Sequence, residues 1–143
     1  MTFKISTDYS PVTGLRHCNI SDCSGEDFYH NKLNKAFANA IENNDKLILI
    51  LDGVKGGYSP SFIDEAIGNL VYDFGLSIVK KNLEVISERE KQWTVLITDR
   101  TYPSWETRRL KSQEPTLTQN HPAWYRLTKN GLECKEWIKD INI

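Results

Sequence analysis

Residues that could carry chemistry are concentrated in one short segment, residues 52–65 (DGVKGGYSPSFIDE). Its two serines, Ser59 and Ser61, flank a proline, an arrangement typical of the start of a helix. Free N–H groups and the helix dipole favour negative charge at a helix N-terminus, so a phosphate on either hydroxyl is chemically reasonable there. Both serines are therefore candidate phosphorylation sites, and both are candidate helix caps.

The same segment contains three carboxylates, on Asp52, Asp64 and Glu65. Paired carboxylates can act as general acid and base, and ligands often bind at the carboxyl ends of strands in open α/β sheets. No histidine or nucleophile accompanies them, and Lys55 precedes the adjacent glycines, unlike the lysine of a phosphate-binding loop. We expect a non-catalytic protein without a cofactor; the alternative is an effector or enzyme whose carboxylate site is completed by the C-terminal part of the chain.

Four residues near the N-terminus offer the ligand types of a metal site: His17, Cys18, Cys23 and His30. Their spacing matches none of the paired patterns of zinc-binding motifs. A cysteine in a globular chain more often behaves as a small buried hydrophobe. The sequence therefore predicts no metal site.

The elements around residues 52–65 follow from the distribution of apolar residues. Residues 47–51 are five consecutive apolar residues, too few for a membrane span and typical of a strand buried on both faces. After the glycines and serines, apolar residues recur at helical spacing. The sequence thus predicts a strand, an exposed turn and an amphipathic helix, whose apolar face consists of Phe62, Ile63, Ala66, Ile67, Leu70, Val71 and Phe74.

Elsewhere in the first hundred residues, helices and strands alternate. A short strand is predicted over residues 3–6, and a helix from a capping box at residues 24–27 to the Asn pair at 43–44. Strand-like runs follow at residues 83–86 and 93–98. Such alternation predicts an α/β fold with helices packed on a mixed or parallel sheet.

Length and charge limit the classes of function. At 143 residues and 39% hydrophobic composition, the chain is large enough for one domain with a real core. A formal net charge of −1 argues against a general binder of nucleic acid or membrane surfaces. The three cysteines are unpatterned and the N-terminus lacks the features of a signal peptide, so we expect a cytoplasmic protein.

Beyond Asp99 the composition changes. Three of the four tryptophans lie there, and Lys and Arg outnumber Asp and Glu by 8 to 5 from Arg100 onward. We predict a domain over residues 1–99 and an extension over residues 100–143 that packs on the same domain. Within the extension we predict an irregular loop from Lys111 to Asn120 and a short terminal helix beginning near Leu132.

The extension also contains the chain's one basic cluster. Arg108, Arg109 and Lys111 lie close to Trp105 in the sequence, and this combination of charge and aromatic rings could contact RNA or single-stranded DNA. A solvated loop with its tryptophans buried against the domain explains the same residues. Nucleic-acid binding is therefore the third hypothesis.

The segment GVKGGYSPSFIDEAIGNL resembles the core signature of the STAS-like domains of unknown function. The similarity lies in Asp52-Gly53-Val54 at the strand end, Ser59-Pro60-Ser61-Phe62 at the helix start, and the acidic pair that follows. It extends over residues 1 to about 99, including Ser24-Gly25-Glu26-Asp27-Phe28 at the start of the preceding helix. The resemblance implies a STAS-like mixed sheet flanked by helices, followed here by a C-terminal extension.

The resemblance also implies a function. Such domains are related to bacterial anti-sigma-factor antagonists, cytoplasmic regulatory modules that dock onto ATP-binding, histidine-kinase-like proteins and are switched by serine phosphorylation. Carried over to this chain, the candidate switch positions are Ser59 and Ser61. The expected partner-binding residues are Gly56, Gly57, Tyr58, Phe62, Asp64 and Glu65.

Overall fold

A three-stranded parallel sheet forms one layer of the protein, in a computed structural model that describes residues 1–142. The strands are β1 (Thr2–Lys4), β2 (Leu47–Ile50) and β3 (Leu83–Ile86), and β2 lies between the other two. Leu47 and Leu49 on β2 have no solvent exposure. The predicted α/β class and the predicted central strand are confirmed.

The first long helical run begins where the sequence predicts it. The Ser24 hydroxyl accepts a hydrogen bond from the Asp27 N–H at 3.0 Å and caps the helix. A one-turn π-helical segment interrupts the run without ending it. The run consists of α2 (Gly25–Phe28), the π-helical segment (Tyr29–Leu33) and α3 (Asn34–Glu42). A short helix, α1 (Ile5–Asp8), comes before it in the chain.

Helix α4 (Pro60–Phe74) is the centre of the molecule. Twelve of its residues are buried, so it is covered on more than the single apolar face that the sequence predicts. Gly75, with φ of +86°, ends α4 and leads into α5 (Leu76–Asn82). Because α4 has neighbours on several sides, its polar residues also need partners within the protein.

The predicted strand at residues 93–98 is wrong, because this segment is helical. Trp93 and Ile97 are buried at a spacing of four residues, whereas Val95 between them is 56% exposed. That periodicity belongs to a helix and outweighs the strand propensity of the individual residues. The helical run consists of α6 (Gln92–Leu96), a π-helical segment (Ile97–Thr101) and α7 (Tyr102–Leu110).

The chain then forms a loop and a β-hairpin. Residues 111–120 contain no helix or strand, as predicted. The predicted terminal helix near Leu132 is wrong, because β4 (Trp124–Thr128) pairs in antiparallel fashion with β5 (Gly131–Lys135). Gly131, with φ of +100°, makes the tight turn that a helical continuation would not contain.

The extension packs closely on the domain. A Cβ atom on Gly68 of α4 would lie only 2.1 Å from the Trp105 ring, so glycine is what allows α7 to approach α4. At the hairpin, the Asn34 side chain bonds both the N–H and the carbonyl of Tyr125, at 2.8 and 2.9 Å. The predicted boundary after residue 99 falls inside the π-helical segment, so the helical run crosses it. Among residues 1–142, none of the helices has the length and apolar character needed to cross a membrane.

Candidate docking turn and buried polar clusters

The segment from residue 52 to residue 58, which we call the docking turn, leaves the carboxyl end of β2. Gly53, Gly56 and Gly57 all have positive φ, between +73° and +103°, which favours glycine at these positions. The Asp52 carboxylate accepts hydrogen bonds from the N–H groups of Glu88 and Arg89, at 2.9 and 3.0 Å. These bonds, which also lower the pKa of Asp52, anchor the turn to the loop after β3.

The docking turn is the most exposed part of the segment that the sequence singles out. Lys55 and Gly56 are exposed, and Gly57 and Tyr58 are partly exposed. The turn and the loop after β3 border a cleft of about 270 Å³. This cleft is lined by Leu51, Asp52, Gly53, Val54, Lys55, Tyr58, Arg89 and Glu90.

Ser59 is the N-cap of α4, and Pro60 follows as the first helical residue. The Ser59 hydroxyl accepts from the Phe62 N–H and donates to the Gly14 carbonyl, both at 3.1 Å. The Ser61 hydroxyl lies 3.1 Å from the Ser59 oxygen and is half-buried. The capping role predicted for this serine pair is therefore confirmed for Ser59.

Two of the expected partner-binding residues point partly or wholly inward. Phe62 has no solvent exposure, and its ring stacks on Phe28 and Tyr58 at centroid distances of 5.7 and 5.6 Å. Tyr58 donates its phenol proton to the Leu51 carbonyl at 2.6 Å, and burial raises its pKa. Phe62 therefore supports the docking turn from inside the core.

Asp64 and Glu65 share one cation. Arg16 Nη1 lies 2.8 Å from the Asp64 carboxylate and 3.2 Å from that of Glu65. The Glu65 side chain is buried, which raises its pKa, and it accepts a further bond from Asn69 at 2.9 Å. Asp52, by contrast, is bound to the loop after β3, so it shares no partner with Asp64 and Glu65.

The predicted basic cluster is largely engaged within the protein. The Trp105 ring is buried, and its N–H donates to Asp64 at 3.2 Å. Arg108 lies over that ring at 4.6 Å and donates to two carbonyls of the following loop. Arg109 forms a bidentate ion pair with Glu106, whereas Lys111 is exposed.

A buried group that the sequence does not indicate surrounds Glu26; we call it the Glu26 cluster. Glu26 has no solvent exposure. It accepts from His121 Nε2 at 2.7 Å and from the hydroxyl and N–H of Thr118 at 2.7 and 3.0 Å. His17 Nδ1 and the Cys18 N–H lie 3.1 and 3.2 Å from the same carboxylate. The five members are His17, Cys18, Glu26, Thr118 and His121.

Electrostatics in the Glu26 cluster favour the carboxylate. Burial alone would raise the pKa of Glu26, but the hydrogen bonds from His121 and Thr118 outweigh it and lower the pKa to about 2. His30 stacks on His121 with ring centroids 4.2 Å apart. Burial and the neighbouring His121 lower the pKa of His30 to about 3, so this ring is neutral near pH 7.

A second buried group, the Asp73 cluster, joins α4 to the hairpin. Asp73 accepts from Arg126 Nε at 2.8 Å and from the Tyr29 phenol at 2.5 Å. Arg126 also lies 3.1 Å from Glu114 on the loop. Burial raises the pKa of Asp73 to about 6, against the opposing effect of Arg126. Its members are Tyr29, Asp73, Glu114 and Arg126.

Local sequence patterns could not have identified the distant partners in either cluster. Thr118 lies 92 residues from Glu26, and Arg126 lies 53 residues from Asp73. The available signal was the 65, 69, 73 spacing on α4, which places Glu65, Asn69 and Asp73 on one side of a helix that is otherwise apolar. Such a polar stripe on a buried helix predicts polar partners from elsewhere in the chain.

Comparison with protein-family models matches residues 24–93 to a STAS-like domain of unknown function (DUF4325). The match includes α2 to α5, β2, β3 and the docking turn. It ends at the first turn of α6, before the extension. No curated protein and no solved structure matches the chain.

Proposed function

Because the chain carries a STAS-like domain of unknown function over residues 24–93, we propose that it is a regulatory module that binds a partner protein through the docking turn. The proposed setting is the bacterial cytoplasm, and the proposed partner is an ATP-binding, histidine-kinase-like protein. The module itself performs no catalysis in this proposal.

One observation carries this proposal: the docking turn is exposed at the end of an otherwise covered helix. Lys55 and Gly56 face solvent, while the side of α4 is occupied by Arg16, Trp105 and Arg126 of the same chain. An exposed, glycine-rich turn offers a surface that a partner can approach closely. Ligands of open α/β sheets also bind preferentially at the carboxyl ends of the strands.

The cleft beside the turn adds mixed charge to this surface. Lys55 and Arg89 contribute positive charge, and Asp52 and Glu90 contribute negative charge. A partner that matches this pattern gains specificity and association rate from electrostatic complementarity. We therefore expect a polar protein surface, with both signs of charge, opposite the docking turn.

If phosphorylation regulates docking, Ser61 is the better placed serine. A phosphate on Ser59 would modify the hydroxyl that caps α4. It would also remove the hydrogen bond from this hydroxyl to the Gly14 carbonyl, which holds residues 10–14 over the turn. Ser61 has only its contact with Ser59 to lose. Asp64 lies in the next turn but is paired with Arg16, so its repulsion of a phosphate is reduced.

The docking surface is tested by placing a photo-crosslinking amino acid at Lys55 in the full-length protein, in its own cells. Lys81 is the matched control, because it is an exposed lysine just before β3. The strands are parallel, so Lys81 lies at the amino ends of the strands, opposite the docking turn. The proposal predicts one dominant crosslinked protein from position 55 and none from position 81. Equal products from both positions would contradict it.

The switch is tested with the protein captured at position 55. Ser61→Asp should change its affinity, and Ser61→Ala should leave the affinity near that of the wild type. Ser59→Asp serves as the comparison, because it also perturbs the cap. Equal affinities for Ser61→Asp, Ser59→Asp and the wild type would remove phosphorylation from the proposal while leaving docking in place.

A further inference from the structure

The Glu26 cluster brings together three different types of metal ligand. Sγ of Cys18, a carboxylate oxygen of Glu26 and a ring nitrogen of His121 all lie within 4.8 Å of one another. Tetrahedral zinc sites, with bonds of 2.0–2.3 Å, place their ligand atoms about 3.3 to 3.8 Å apart. Small side-chain movements therefore suffice to bring these three atoms onto one ion.

The surroundings of the three atoms resemble the support that metal ligands need. Thr118 holds Glu26 through both its hydroxyl and its N–H. The Ser24 hydroxyl lies 3.3 Å from Cys18 Sγ. Outer contacts of this kind fix ligand orientation in metal sites and affect metal affinity.

His30 provides an independent observation that points the same way. It is only 7% exposed, and neither ring nitrogen has a hydrogen-bond partner among the described residues. Its ring stacks on that of His121, so all three histidines of the chain gather around Glu26. An unpartnered buried imidazole beside a Cys-Glu-His group is unusual for a purely structural hydrogen-bond cluster.

One of the three ligand residues, Cys18, borders open space. A cavity of about 280 Å³ adjoins Cys18, and the carboxylates of Asp22 and Asp27 line it. These acidic groups favour the approach of a cation to the Cys18 side of the cluster.

We propose that Cys18, Glu26 and His121 bind one Zn²⁺ ion, which ties the start of the first long helical run to the C-terminal extension. Thiolate, carboxylate and imidazole together suit zinc better than calcium or magnesium. On binding, the Cys18 thiol proton is released to solvent, and the ring proton between His121 and Glu26 moves to the other nitrogen of the imidazole. Metal–ligand bonds replace the 2.7 Å hydrogen bond between His121 and Glu26.

The experiment uses the full-length, reduced protein, freed of metal by a chelator and then titrated with Zn²⁺ and with Co²⁺ as a spectroscopic probe. The proposal predicts one ion per chain and a cobalt spectrum with a thiolate-to-metal charge-transfer band. Calorimetry in buffers of different ionisation enthalpy should show proton release. A folded protein that binds no Zn²⁺, or binds it without release of protons, would overturn the proposal.

Variants identify the ligands. Cys18→Ser should abolish the charge-transfer band and weaken Zn²⁺ binding at least about tenfold, since it removes a direct ligand. His121→Gln should weaken binding similarly, although its amide can still donate to Glu26 and maintain the fold. Cys23→Ser is the matched control from the same cavity, and Cys134→Ser is the exposed control. A charge-transfer band that survives in Cys18→Ser, or is lost in either control, would assign the metal to other residues and contradict the proposal.

Discussion

Helix α4 has two very different surroundings, one at its N-terminal end and one along its side. At its end, the docking turn is exposed and is formed by residues adjacent in sequence. Along its side, Asp64, Glu65 and Asp73 are bound by Arg16, Trp105 and Arg126, far away in sequence. The end is therefore open to solvent, whereas the side is occupied by the protein's own chain.

This difference shows how residues outside the segment that matches the family model determine the surroundings of α4. The family match stops at residue 93, yet the residues that cover the side of α4 lie mostly beyond it. Asp64 and Glu65 are paired with Arg16, and Asp73 is paired with Arg126 of the extension. Binding should therefore be sensitive to changes at the end of α4, and folding should be sensitive to changes along its side.

The strongest test of this comparison is truncation after Asp99. It removes Trp105, Thr118 and Arg126, and leaves the carboxylates of Glu26 and Asp73 without their main partners. Uncompensated burial of polar groups and newly exposed apolar surface should abolish cooperative folding. Thermal unfolding followed by circular dichroism checks this, and a sharp transition like that of the full-length protein would contradict it.

The Asp73 cluster provides the next largest effect. Arg126→Met should lower the free energy of unfolding by about 3 to 5 kcal/mol, because it leaves the Asp73 carboxylate buried without its cation. Arg100→Met is the matched control, since Arg100 is exposed. Urea unfolding of both variants measures the difference, and an equal loss in the two would contradict the assigned role of Arg126.

The cost of Arg126→Met should also depend on pH. Folding raises the pKa of Asp73 from 3.8 to about 6, so the folded state binds this proton more tightly and its contribution to stability falls as pH rises between these values. Loss of Arg126 raises that pKa further, because the guanidinium opposes the effect of burial. The variant should therefore lose less stability at about pH 5 than at about pH 8. An identical loss at both pH values would argue against a titrating Asp73.

Close packing of α4 and α7 predicts a smaller effect. Gly68→Ala should destabilise the protein by about 1 to 3 kcal/mol, since the new Cβ would overlap the Trp105 ring. The same change in a Trp105→Leu background should cost less, because the overlapping ring is gone. The cost of Gly68→Ala is measured as an unfolding free energy in the wild type and in the Trp105→Leu background, and the difference between the two costs is the coupling of residues 68 and 105. Equal costs in the two backgrounds would contradict the predicted overlap.

At the end of α4, the two serines should behave differently. Ser59→Ala should cost about 0.5 to 2 kcal/mol, because it removes the cap of the helix. Ser61→Ala should stay within about 0.5 kcal/mol of the wild type, since its hydroxyl bonds only that of Ser59. Chemical denaturation of the pair checks this prediction, and equal costs would show that the cap is shared.

Sequence patterns predicted the end of α4 well because its chemistry is local. A run of apolar residues, a glycine-rich turn and Ser59-Pro60 act within a few positions of one another, and the structure has the expected strand, turn and capped helix. The same holds for Ser24, which caps α2 as predicted.

The side of α4 could not be predicted in the same way. Strand propensity at Trp93 and Val95 suggested a strand, but burial of Trp93 and Ile97 against the domain selects a helix. Glu26 is bound by Thr118 and His121 only when the extension folds back across the domain. Such pairings depend on the tertiary fold, and neither residue type nor spacing near Glu26 specifies them.

Docking through the turn is tested most directly with the partner protein that crosslinks to position 55. The measurement is the equilibrium affinity of that partner for two charge-reversed variants of this chain. Lys55→Glu reverses the charge at the centre of the docking turn, and Lys81→Glu reverses a charge at the opposite end of the parallel strands. Titration calorimetry should show affinity at least about tenfold weaker for Lys55→Glu, a loss of roughly 1.4 kcal/mol, and little change for Lys81→Glu. Unchanged affinity for Lys55→Glu, or an equal loss in both variants, would contradict docking through the turn.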